Sequence, residues 1–172
     1  MELQGKTLVM PVANLYNDLE FWYPKIRMTE AGAKVIVAGA KAGETYKSKI
    51  GLPATCDVAY GDISADKVDG IIIPGGYAPD FMRRDPAAVQ LVADLDAQKK
   101  LVAFICHAGW LPISAKILKG RTCTSYFAIK DDMINAGVNW VDGEAVVDGN
   151  FVSSRTPDDL PAFCRAILEF LK

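Results

Sequence analysis

The chain has one histidine and four cysteines in 172 residues, and the histidine, His107, directly follows Cys106. A thiol beside an imidazole suits nucleophilic catalysis, in which the thiolate attacks an electrophilic carbon and the imidazole moves the proton. Every imidazole step must therefore run through His107, and a metal site with two histidines is excluded. Five apolar residues, Leu101 to Ile105, lead into Cys106, and Gly109 follows within three positions. This pattern predicts a nucleophile on a sharp turn between a buried strand and a helix. Such a turn pushes the side chain beyond the sheet edge, and a helix N-terminus favours the thiolate, so a lowered thiol pKa is expected. Adjacent side chains at a sharp turn diverge, however, so neighbouring positions alone do not make a Cys–His hydrogen bond. Cys56, Cys123 and Cys164 are separated from their neighbouring cysteines by 50, 17 and 41 residues, without a C-x-x-C pair. They read as free thiols and small core residues.

Two further features belong near the same edge. Gly75-Gly76 closes the apolar run Asp69 to Ile73. It reads either as a tight turn needing positive φ or as an oxyanion hole in which Gly76 and the His107 N–H share the charge. Glu20 lies four residues before Pro24 in a segment that otherwise reads as helix. A proline there removes the N–H due to the Glu20 carbonyl, and broken local rules gather at functional sites. No G-x-G-x-x-G, phosphate loop or G-x-S-x-G is present, which leaves dinucleotide binding and serine hydrolysis without a motif.

The elements that must position these residues follow from periodicity and punctuation. Buried strands are expected at Thr7–Val12, Lys34–Ala38, Asp69–Ile73 and Leu101–Ile105, with shorter ones at Cys56–Tyr60 and Arg121–Tyr126. Helices are expected from Leu19 to Ala31 capped by Asp18, from Pro86 capped by Asp85, over Gly109–Leu118 and Ile129–Ala136, and from Asp158 or Asp159 to the end. Strand, helix, Gly and strand within the first 38 residues form a βαβ unit and imply a parallel sheet. Asp148-Gly149 between Glu144–Val147 and Asn150–Ser153 predicts one antiparallel hairpin. The expected fold class is α/β, a flavodoxin-like three-layer α/β/α sandwich with a mostly parallel sheet and a small hairpin. Ligands of such sheets bind beyond the carboxyl ends of the strands. The first strand runs into Ala13-Asn14-Leu15-Tyr16 rather than a Ser/Thr-rich loop, which disfavours a flavin cofactor. No cofactor or metal is expected.

Composition bounds the rest. The length suits a single domain over residues 1–172, able to bury roughly 70% of its unfolded surface without disulfides. With 51% apolar and 23% charged residues the chain reads as globular, and 19 basic against 21 acidic residues leave a net charge of −2. That balance disfavours nucleic-acid binding through phosphate neutralisation. Without a membrane-length apolar stretch or a signal-type N-terminus, the expected location is the cytoplasm.

The turn Ile73-Pro74-Gly75-Gly76, the elbow Ala103 to His107, the stretch Thr124 to Gly137 and Val152-Ser153-Ser154-Arg155 resemble the PfpI family of intracellular cysteine peptidase-like proteins, within the ThiJ/PfpI superfamily. The resemblance covers nearly the whole chain. It implies Cys106 as nucleophile, His107 as its neighbour, Gly76 and the His107 N–H as oxyanion hole, and Glu20 as the acid that donates to the sulfur and stabilises its oxidised forms. It implies Asp80 as third member of a triad, reaching the histidine from a neighbouring subunit of a homodimer or larger homo-oligomer. Trp110 and Tyr126 are placed at the substrate pocket. Family members are described as peptidases, glyoxalases and deglycases of glycated proteins, which implies small carbonyl, glycated or peptide substrates and a role in stress response. The other reading is a redox-sensing stress protein whose Cys106 is oxidised without efficient turnover. The chain departs from the family in having Asp80 where glutamate is frequent, Ala108-Gly109-Trp110 where Gly-Pro-Gln is common, and Pro112 in place of an aliphatic residue. A bulky indole beside the nucleophile favours small electrophiles over peptides.

Overall fold

The computed structural model describes residues 1–172. In chain order its first half forms β1 (Thr7–Pro11), α1 (Asp18–Glu30), β2 (Lys34–Gly39), β3 (Thr45–Lys47), β4 (Pro53–Thr55), β5 (Val58–Ala59) and β6 (Gly70–Ile73). Then come α2 (Ala78–Met82), α3 (Pro86–Ala97), β7 (Leu101–Ile105), α4 (Trp110–Ser114), β8 (Thr122–Cys123) and α5 (Lys130–Asn135). The chain ends with β9 (Asn139–Trp140), β10 (Ala145–Asp148), β11 (Phe151–Ser154) and α6 (Leu160–Leu171). Seven strands make the central sheet in the order β10-β11-β7-β6-β1-β2-β5. All neighbours are parallel except β10 and β11, so the expected α/β architecture holds. Helices α1 and α6 pack on each other, as do α3 and α4, and the sheet lies between the two layers. No helix is long and apolar enough to cross a membrane.

The unbroken apolar runs of β6 and β7 are buried at every position, as expected of central parallel strands covered on both faces. From β1 the chain moves outward through β2 to β5, then returns to the other side of β1 as β6. The resulting reversal opens a crevice at the carboxyl ends of β1 and β6.

Several boundaries differ from the sequence expectation. Asn17, rather than Asp18, caps α1: its Oδ1 accepts the N–H groups of Leu19 at 3.1 Å and Glu20 at 3.3 Å. The helix expected over Gly109–Leu118 is a 3-10 turn at Cys106–Gly109 followed by the five residues of α4. The hairpin turn is Gly149-Asn150, because Asp148 still pairs with Phe151. Arg121–Tyr126 contributes only the two residues of β8, paired with β9 outside the main sheet. Asp159 does stand at the N-cap of α6, as expected, but its carboxylate takes the Arg155 guanidinium and not the helix N–H groups. The antiparallel β3–β4 hairpin has no apolar alternation to announce it.

Candidate active site

The elbow is built as the sequence predicts, with one addition. Cys106 has φ 64°, in the left-handed region that a non-glycine residue enters only when its surroundings enforce it. This backbone turn brings the side chains of Cys106 and His107 together, with Sγ 3.2 Å from Nδ1. The Tyr126 N–H holds the Cys106 carbonyl at 3.1 Å, tying the elbow to the segment before α5.

Facing the elbow is the Gly75-Gly76 turn. A Cβ on Gly75 would lie 2.5 Å from Glu20 Oε2 and 2.8 Å from Cys106 Cβ, so only glycine fits between them. Gly76 has φ +77°, and a Cβ there would meet the Leu15 carbonyl at 2.5 Å. The loop after β1 is stitched to this turn: Asn17 N–H donates to the Gly75 carbonyl at 3.2 Å, and Tyr77 N–H to the Leu15 carbonyl at 2.9 Å. That stitching fixes the start of α1 and delivers Glu20 to the nucleophile.

Glu20 is fully buried. Its Oε2 accepts the Gly75 N–H at 2.8 Å, while Oε1 has no aligned partner. Burial pushes its pKa up to about 7, against the Gly75 hydrogen bond and the Lys49 charge, which oppose the rise. The Cys106 thiol is raised as well, to about 12, by burial first and then by the ionised Glu20 beside it; the His107 and Gly76 N–H groups pull it back. The lowered thiol pKa expected from the elbow is therefore not produced by the elbow alone. A 3-10 turn and a five-residue helix supply little dipole, and desolvation dominates. When Glu20 holds the proton, its repulsion disappears and its O–H can donate to the thiolate, so one proton serves both groups. His107 is pulled below its ordinary value by burial and by Lys49, which keeps the ring neutral and able to act as a base.

These groups open into a cavity of about 510 Å³ lined by Asn17, Glu20, Lys49, Gly76, Tyr77, Cys106, His107, Trp110, Tyr126, Thr156 and Pro157. The Tyr126 ring lies 5.0 Å from the His107 ring and the Trp110 ring 5.2 Å from it, in a T-shaped arrangement. Trp110 is held from behind by its Nε1–H, which donates to Asp132 at 2.8 Å. Every site residue expected from the sequence except Asp80 lines this cavity. Asp80 stands in α2, one turn beyond Tyr77, with its carboxylate on Arg84; within this chain it makes no hydrogen bond to His107. Sequence reading missed Asn17, Lys49, Tyr77, Thr156 and Pro157. Lys49 lies in the connection between β3 and β4 and carries no motif that could have revealed it.

The sequence matches the DJ-1/PfpI family over residues 6–170. The chain belongs to the DJ-1/PfpI family. It is 43% identical over 160 residues to the deglycase PfpI of Pyrococcus furiosus, covering 93% of this chain and 96% of that one. It is 39% identical over 170 residues to general stress protein 18 of Bacillus subtilis, covering 98% and 99%. A solved two-domain protein of Anabaena variabilis, with DJ-1/ThiJ/PfpI-like and ferritin-like domains, superposes with a TM-score of 0.95 at 40% identity; 96% of this chain matches 48% of that one. Within the DJ-1/PfpI fold the cysteine elbow, the Gly-Gly turn and the buried glutamate thus occupy a single crevice.

Proposed function

We propose that the protein is a cysteine-nucleophile enzyme acting on small carbonyl substrates, a deglycase or glyoxalase, in the cytoplasm and in response to stress. The carrying observation is the Cys106–His107 contact of 3.2 Å inside a cavity where buried Glu20 can hold a proton at neutral pH. The thiolate adds to the carbonyl carbon, and the C=O electron pair moves to oxygen. The N–H groups of Gly76 and His107 hold that oxyanion. His107, having taken the Cys106 thiol proton as the thiolate formed, delivers it to that oxygen and gives the thiohemiacetal. The partner subunit's Asp80 orients the ring from its Nε2 side in a homodimer or larger homo-oligomer. The deglycase name of the Pyrococcus relative supports this substrate class. Trp110, which lines the cavity edge-on to His107, disfavours extended peptides.

A second reading has its own observation. Glu20 Oε1 is buried without an aligned partner beside the sulfur, where a protonated carboxyl could donate to a sulfinate oxygen. On that reading Cys106 is a peroxide-oxidised sensor, in keeping with the stress-protein name of the Bacillus relative. A substrate panel separates the two: methylglyoxal, its cysteine hemithioacetal and a peptide amide, assayed on wild type and Cys106→Ser. Turnover of either carbonyl substrate that is lost in the variant supports the enzyme; no turnover of any substrate defeats it.

A further inference from the structure

The catalytic cavity contains one carboxyl group and one ammonium group. The carboxyl is that of Glu20, which is buried; the ammonium is that of Lys49, an exposed residue that lines the same cavity. Lys49 forms no ion pair with any carboxylate of the chain. Its backbone is tied to the site, for the Lys49 N–H donates to the Tyr16 carbonyl at 3.0 Å and Tyr16 in turn bridges to Gly76. The hydroxyl-bearing Tyr77, Tyr126 and Thr156 line the same cavity. The cation thus lacks a counter-charge at the edge of the catalytic cavity.

We propose that Lys49 is a specificity residue that binds the carboxylate of an anionic carbonyl substrate, a 2-oxo acid such as glyoxylate, and aims its carbonyl carbon at Cys106. This rests on the carbonyl chemistry proposed above and names its substrate class. Lys49 lines the same cavity as Glu20 and His107, and its charge lowers the pKa of both. A neutral carbonyl compound would leave the ammonium solvated and gain nothing from it, whereas a carboxylate would replace part of its water with a directed ion pair.

Iodoacetate and iodoacetamide offer a test that needs no turnover, since they are nearly the same size and differ in charge. Their alkylation rates at Cys106 are measured by mass spectrometry on the full chain, as wild type, Lys49→Met and Lys49→Arg. In Lys49→Met the iodoacetate rate should fall about threefold more than the iodoacetamide rate, the size of an exposed ion pair, and Lys49→Arg should retain most of the difference. Calorimetric titration of glyoxylate into Cys106→Ser, with and without Lys49→Met, checks the same contact without alkylation, and binding should weaken by a similar factor. Equal losses for the two reagents, or glyoxylate binding indifferent to Lys49, overturn the proposal. Methylglyoxal carries no charge, so failure to turn it over strikes the enzyme reading while the alkylation ratio still decides the anion site.

Discussion

Glu20 accepts the Gly75 N–H at 2.8 Å, one residue before Gly76, whose N–H lowers the Cys106 thiol pKa against the effect of burial. The bond ties α1 to the end of β6 and fixes the carboxyl where its proton is most consequential. A carboxyl buried there is held back from ionising until about pH 7.

That shift has a definite sign for stability. Glu20 ordinarily titrates at 4.5 and here at about 7. Between those values the folded protein keeps a proton that the unfolded chain has released, so stability falls as pH rises through this window and stays lower above it. The full change is about 3 kcal/mol. Urea unfolding of Glu20→Gln, which has no such titration, should gain about that much on wild type between pH 4 and pH 8. A difference that stays constant across the range would remove the burial argument.

Cys106 should be the first thiol alkylated, even though burial raises its pKa. It is 8% exposed and lines the cavity, whereas Cys56, Cys123 and Cys164 are 2%, 0% and 2% exposed and border none of that space. Brief iodoacetamide treatment followed by peptide mapping should find the label on Cys106 before the others. Earlier labelling of another cysteine would point the nucleophile assignment elsewhere.

Trp110 sets the width of the pocket by packing edge-on against His107 with its indole N–H pinned by Asp132. Trp110→Gln removes the bulk. The ratio of kcat/KM for a peptide amide over methylglyoxal should rise by about an order of magnitude, in the range that a pocket contact controls. An unchanged ratio means that the indole does not restrict the substrate.

Asp80 engages Arg84 within its own chain and is proposed to complete the site of a partner. Cys106→Ser and Asp80→Ala proteins, each inactive, can be mixed and allowed to exchange subunits. About half the dimers are then mixed, and one site in each is whole, which should recover roughly a quarter of wild-type activity. No recovery despite demonstrated exchange, or full activity of Asp80→Ala alone, would show that the partner subunit's Asp80 is not needed.

The sequence alone determined the central strands and the elbow. The apolar runs Leu101–Ile105 and Gly70–Ile73 are strands buried throughout, and the residues after them, Cys106-His107 and Gly75-Gly76, meet at one edge of the sheet. Burial of a parallel strand imposes a local pattern that can be read along the chain. The Pro24 irregularity drew attention to Glu20, but only the fold brings Glu20 beside Cys106, 86 positions away. The same holds for Lys49, whose polar hairpin has no periodicity to read, and for the 3.2 Å Cys106–His107 contact, which depends on a left-handed backbone at Cys106. The direction of the thiol pKa was also a tertiary matter. Turn position suggested a thiolate favoured by a helix, whereas desolvation and a neighbouring carboxyl raise the pKa. Solvent exclusion and the distance between charges are set by packing among distant segments, and no local spacing of residues encodes them.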